Sequence, residues 1–319
     1  MQVSWNSRPA APAVGALVAL CALGMPAAAQ APGEFTVDEE AAERALERAL
    51  VQTGSVVLPA GSAEIVPFLR FQRSEDEIAG FPALVNGELV GTSIGLDRNE
   101  FTAGIIARTG LPWGAQIDVT LPFTYADRAE ELRVLGGSAE VTSSASHSGL
   151  GDVGLAYTQT LREESGGFPS LLGSVTWDTD TGDEEDGLFL GSGFNELGVA
   201  LTATQRQDPL VFSGRIGYQY ALEKNDIRPG DELSFAAAAF LAVNPETSLQ
   251  FGLSLAYAND AEIDGDSVAG SDQLSATLDL GLATILRRNA LLDAVLSVGV
   301  TDDAPDFTLA VNLPLRFTY

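Results

Sequence analysis

The chain has 319 residues, with 44 Asp and Glu against 17 Lys and Arg, for a formal net charge of −27 at pH 7. That balance argues against nucleic acid as a partner, because phosphate binding needs clustered Lys and Arg. Mean hydropathy is nevertheless slightly positive, yet beyond residue 29 no apolar run reaches the ~18 residues of a spanning helix. Membrane helices are thereby excluded, and apolar residues spread singly along alternating strands account for both facts.

The chain opens like a secretory signal peptide, residues 1–29. Arg8 supplies a basic start, Ala13 to Leu23 a short apolar stretch, and Ala27-Ala28-Ala29 the small residues for cleavage before Gln30. Cys21 follows Leu20, where a lipoprotein anchor needs a small residue, so that anchor is rejected. It is the sole cysteine, so cleavage leaves no disulfide and no thiolate chemistry. Residues 30–60 read as a periplasmic leader. Thr36-Val37-Asp38-Glu39 is a capping box, and Ala42, Ala45, Leu46, Ala49 and Leu50 follow at helical spacing until Gly54. This short amphipathic helix either plugs the mouth of the domain after it or is a loosely docked leader.

From Ala63 onward twelve strand-like segments follow: Ala63–Gln72, Phe101–Arg108, Ala115–Tyr125, Gly151–Leu161, Ser170–Asp178, Glu196–Thr204, Leu210–Tyr220, Leu233–Val243, Ser248–Ala258, Leu274–Leu286, Leu292–Thr301 and Phe307–Tyr319. In the clearest, Leu249, Phe251, Leu253, Leu255 and Tyr257 alternate with Gln250, Gly252, Ser254, Ala256 and Ala258. A two-residue period makes one face greasy and the other polar, and lengths near ten residues suit tilted strands crossing hydrocarbon. Short links such as Gln205–Pro209 and Asn244–Thr247 alternate with longer ones at Arg73–Glu100, Ala126–Leu150, Thr179–Asn195, Ala221–Glu232 and Asn259–Gln273, except that the final upper link, Asp302–Asp306, is short. Short periplasmic turns alternating with long outer loops are the habit of an up-and-down membrane barrel. Aromatics agree, with Tyr125, Trp177, Tyr218, Tyr220 and Tyr257 at upper strand ends and Trp113, Phe168, Phe212 and Tyr319 at the lower side. The predicted fold is all-β: a single up-and-down antiparallel transmembrane β-barrel of about 12 strands, over residues 61–319, preceded by the short periplasmic α-helix. The expected location is the cell outer membrane, with lipid and lipopolysaccharide as surroundings. A closing strand that ends on an aromatic, Tyr319, is the address the outer-membrane insertion machinery reads.

Leu58-Pro59-Ala60-Gly61, Leu121-Pro122-Phe123, Gly149-Leu150-Gly151-Asp152-Val153, Thr181-Gly182-Asp183 and the closing strand resemble a family of outer-membrane transporters labelled after the meta-pathway of phenol degradation. The resemblance runs from about Val51 to Tyr319. Where that family often has Pro-Thr-Gly-Asp, this chain has Asp180-Thr181-Gly182-Asp183. The resemblance implies uptake of aromatic compounds and assigns no binding residues.

A twelve-stranded bore lies between filled small barrels and wide porins, so it is a narrow pore or a partly blocked lumen. Its inward register holds Arg70, Arg108, Arg215 and Arg316 with Asp118, Asp152, Glu196, Asp279 and Asp293. These nine are the pore-lining candidates; they either select small solutes by their field or pair and brace the wall. Inward Ser234, Ala236 and Ala238 leave room for a passage. Asp178-Thr179-Asp180-Thr181-Gly182-Asp183 fails as a calcium loop, since glycine stands at the fifth position instead of the sixth. Acidic outer loops still offer divalent cations a bridge to lipopolysaccharide. The only histidine, His147, has Ala145 and Gly149 as same-face neighbours, so no local catalytic pair forms. No enzyme activity, cofactor or metal is expected. The function read here is a passive channel for small aromatic or hydrophobic solutes, and the alternative is a structural or adhesive barrel with a plugged lumen.

Overall fold

A computed structural model describes Leu50 and residues 54–319, except 86–87, 135–139, 166, 186–187, 245 and 288; within 77–92 and 133–141 it describes backbone only. The predicted signal peptide and, Leu50 apart, the predicted helix lie outside the described residues.

β1 (Ser62–Val85) and β2 (Glu88–Leu111) form the first hairpin, followed by β3 (Ala115–Val134) and β4 (Glu140–Leu150), which returns along the outer end of β3. β5 (Gly154–Arg162) then takes the place beside the lower part of β3, and β6 (Ser170–Asp178) follows. The next outer link carries a two-stranded turn, β7 (Glu184–Glu185) and β8 (Leu188–Phe189). β9 (Glu196–Gln207), β10 (Leu210–Ala221), β12 (Glu232–Asn244) and β13 (Thr247–Ala258) continue the wall, with β11 (Ile227–Arg228) in the link before β12. β14 (Glu262–Ile263) and β15 (Asp266–Ser267) lie in the link before β16 (Gln273–Arg287), and β17 (Ala290–Gly299), β18 (Phe307–Asn312) and β19 (Leu315–Thr318) end the chain.

Every wall pairing is antiparallel. The ring closes because β18 pairs with Phe68–Arg73 of β1 while β19 pairs with Ser62–Ile65. With β18 and β19 counted as one crossing, the barrel has twelve strands. Closure pairs the wall strands on both sides through the barrel, which a chain in hydrocarbon requires and an open sheet cannot provide.

Alternation sets the two faces. On β10, Phe212, Ile216, Tyr218 and Tyr220 are exposed outward, whereas Val211 and Gly217 are buried inward. On β3, Ile117, Leu121, Phe123 and Tyr125 point out while Gln116, Thr124 and Ala126 are buried within. Trp113 is 88 % exposed and Tyr319 79 % exposed at the lower rim. So large an exposed apolar belt is intolerable in water and normal in lipid.

Three sequence expectations need correction. Arg73–Glu100 and Ala126–Leu150 are not loops but continuations of β1, β2 and β3 and the added β4. Beyond the membrane both faces of a strand meet water, so the greasy-polar alternation that marks a strand disappears while the hydrogen-bond ladder persists. Residues 151–153 lie before β5 instead of opening it. The last segment is broken between β18 and β19 at Leu313-Pro314, because proline has no N–H for the ladder. Leu313 still donates to the Pro67 carbonyl, at 2.9 Å, and the odd residues keep facing out.

Outside the barrel, β11 and β14 pair and tie two outer links together. Arg228 spans them, donating to Glu262 at 2.7 Å and to Asp231 at 2.8 Å, with its guanidinium over the Tyr220 ring. The Glu262 hydrogen bond raises Arg228 above the ordinary arginine range, so its guanidinium stays charged.

Candidate functional site

The bore is organised in tiers. At the outer mouth the link from Thr179 to Asn195 folds inward and is buckled to the end of β4. Asp152 Oδ1 accepts from the Thr181 and Gly182 N–H groups at 3.0 and 2.8 Å, and its Oδ2 accepts from Ser192 N–H at 2.7 Å. Asp183 Oδ2 accepts from Leu150 N–H at 2.8 Å, and the Asp183 N–H donates back to the Leu150 carbonyl. Glycine is required where these carboxylates pass: a Cβ at Gly149 would overlap Asp183, and one at Gly191 would overlap Asp152. Leu188 and Leu190 are buried against Ala126, which faces inward on β3. His147 Nδ1 lies 2.8 Å from Glu185 Oε2, and Arg98 donates to the Phe189 carbonyl at 3.2 Å. The mouth is therefore capped by a fitted lid.

One rung below the middle carries four charges of alternating sign across the closing seam. Arg316, Glu64, Arg108 and Asp118 stand side by side on β19, β1, β2 and β3. Arg316 lies 2.8 Å from Glu64, which is fully buried, and Arg108 lies 3.9 Å from Asp118. Opposite charges placed across neighbouring strands stabilise the pairing by ~0.2–1 kcal/mol each. Nearby, Asp293 accepts from Asn312 Nδ2 at 2.9 Å. This side of the bore is braced.

The facing wall is different. Arg215 makes only two long hydrogen bonds, to Thr202 Oγ1 and Ser174 Oγ at 3.4 Å, and has no ion pair among the described residues. Asp279 accepts from Ser254 and Thr277 hydroxyls at 2.8 and 3.2 Å, and no cation meets it among the described residues. Between them lies a void of about 120 Å³ floored by Ala236, Ala238 and Phe240. On the lipid side, Ala203, Gly214 and Ala237 leave an open groove of about 600 Å³ backing onto the same stretch of wall.

Leu50 and residues 54–60 lie across the inner mouth, beside a cavity of about 490 Å³ lined by Ser55, Val56, Val57 and Thr204. Leu50 packs with Val211 and Phe240, all fully buried. Ser55 Oγ shares a 2.9 Å hydrogen bond with Ser213 Oγ, and the Ser55 carbonyl accepts from Thr204 Oγ1. Leu58 N–H donates to Gln116 Oε1 at 2.7 Å.

Of the nine predicted pore-lining residues, the structure pairs Arg108 with Asp118 and Arg316 with the unpredicted Glu64. It leaves Arg215 and Asp279 apart on one pocket. Arg70 lies on the inward row of β1 and donates to Gln72. Glu196 opens β9 and accepts from Gln219 at 2.5 Å. Asp152 is on no strand and serves as the buckle. Sequence reasoning missed Glu64, Asp183 and Phe240 as site residues; Glu64 shares its parity with Arg70, and Asp183 stands in a family motif, so both carried a signal.

The chain matches the family described as "Putative MetA-pathway of phenol degradation" over residues 92–317. It belongs to that family. The Gly149–Val153 and Thr181–Asp183 motifs are the two halves of its outer buckle. Among solved structures, an outer membrane channel from Pseudomonas putida F1 is similar at 16% identity and a TM-score of 0.59, covering 82% of this chain and 97% of that one. The translocator domain of autotransporter NalP from Neisseria meningitidis aligns at 14% identity, TM-score 0.47, over 88% and 98% of the two chains. The Ralstonia pickettii toluene transporter TbuX aligns at 9% identity, TM-score 0.42, over 82% and 90%.

Proposed function

We propose that this protein is an outer-membrane channel that passes small, chiefly single-ring aromatic solutes down their gradient. The pocket between Arg215 and Asp279 carries the reading. At about 120 Å³ it approaches the ~150 Å³ of an apolar protein cavity that takes up benzene, and it lies inside a closed membrane barrel. Family membership, with its phenol-degradation description, agrees with an aromatic cargo. Both ends are covered in this structure, by the lid above and by Leu50 and residues 54–60 below, so passage requires one or both to move. The charged candidates divide by role: Arg108, Asp118 and Arg316 of the seam rung brace the wall, Asp152 holds the lid, and Arg215 and Asp279 meet the solute. Leaflet lipid surrounds the belt, the acidic outer loops meet lipopolysaccharide through divalent cations, and the closing strand ending at Tyr319 is read by the insertion machinery. No catalytic step is assigned, since His147 is held by Glu185 at the lid.

The covered inner mouth favours a second reading, a structural barrel with a permanent plug. Planar-bilayer conductance of the refolded full chain, beside a variant lacking residues 30–60, separates the two. Channel function predicts brief openings in the full chain and a larger, steadier conductance in the variant. A folded full chain that never conducts and never speeds aromatic entry into vesicles contradicts it.

A further inference from the structure

We infer that the pocket beside Arg215 is a binding station for a monocyclic aromatic carboxylate, with the carboxylate on Arg215 and the ring over Ala236 and Ala238 against Phe240. The inference rests on the channel reading and names the class of solute for which this pocket is built. Arg108 and Arg316 are each matched by a carboxylate across the rung. Arg215 faces the void with two hydrogen bonds at the long limit and no counter-charge among the described residues. A half-buried guanidinium has five donors in a planar fork, and the group that satisfies such a fork best is a carboxylate, bound in parallel. The void, at about 120 Å³ somewhat under the ~150 Å³ of a cavity that takes up benzene, limits the solute to a single ring.

The remaining charges are compatible. Asp279 lines the same void from three strands away, and its oxygens are engaged by the Ser254 and Thr277 hydroxyls. The ring, not the carboxylate, points its way. At the mouth, Glu196 lies six residues above Thr202, the partner of Arg215 on β9. That is about 20 Å along the strand, more than two Debye lengths of ~8 Å at physiological salt, and Glu196 is hydrogen-bonded by Gln219.

The test is calorimetric titration of the purified full chain with sodium benzoate near pH 8, beside propionate, which lacks the ring, and benzyl alcohol, which lacks the charge. Each variant is first confirmed folded by its heat-dependent migration on a gel. Benzoate should bind more tightly than either comparison ligand. Arg215→Gln should weaken benzoate by about tenfold or more, the cost of a lost charged hydrogen bond, and leave benzyl alcohol unchanged; Asp279→Asn should tighten benzoate. Folded wild-type protein that ignores benzoate, or benzoate binding that survives Arg215→Gln, overturns the inference. Ligand-free conductance is recorded on the same preparation: conduction without benzoate binding sinks only this inference, and binding without any conduction sinks the channel reading.

Discussion

Phe251 projects from β13 into the lipid belt, and Gln250, the residue before it, lines the pocket that holds Arg215. A charge at the first position must be taken out of water, whereas at the second it meets a polar bore. Phe251→Arg is expected to cost ~2–4 kcal/mol near the bilayer midplane, and Gln250→Arg much less, read as urea unfolding midpoints in lipid vesicles. Equal losses would contradict the assigned faces. This parity was legible in the sequence because the side-chain period of a strand is two, and it placed Arg108, Asp118, Arg215, Asp279, Asp293 and Arg316 on the inner face. Which of them would meet was not legible. The rung of Arg316, Glu64, Arg108 and Asp118 depends on the register between four strands, and Glu64 and Arg316 stand at opposite ends of the barrel sequence.

At the scale of elements, one half of the lid's buckle is the Asp152 carboxylate, whose two oxygens accept from different parts of the link. Oδ1 of Asp152 serves two backbone N–H groups, and Oδ2 serves the Ser192 N–H and, at 3.4 Å, the Ser192 hydroxyl. Asp152→Asn keeps one oxygen and replaces the other with a donor, which cannot accept. A hydroxyl can turn to accept from the new NH2 and a backbone N–H cannot, so the amide oxygen settling toward the two N–H groups should hold Thr181 and Gly182 while freeing the Ser192 N–H. Hydrogen exchange is expected to quicken by at least about tenfold at Ser192, the factor for ~1.4 kcal/mol, and to change less at Thr181 and Gly182. Uniform protection across all three would remove the buckle. The short turns and the crossing strands were readable from alternation and length; the outer extensions were not. In Ser143, Ser144, Ser146 and Ser148 of β4 there is no apolar face to betray a strand, and pairing with β3 alone fixes it.

For the whole molecule, a closed ring of twelve strands, greasy without and polar within, turns a chain of net charge −27 into a membrane protein. A plug at the inner mouth was one alternative the sequence left open, and it could not be chosen there because Leu50 meets Val211 and Phe240 from about half the chain length away; the outer lid was hidden, because an inward-folded loop is composed like any acidic outer loop. The most direct measurement is a single-cysteine scan from Leu249 to Tyr257 in lipid vesicles, on a Cys21→Ser background that is otherwise free of thiols. Small water-soluble reagent should label positions 250, 252, 254 and 256, and lipid-dissolved reagent positions 249, 251, 253, 255 and 257. Labelling of both sets by the aqueous reagent at equal rates would contradict the barrel and everything built on it.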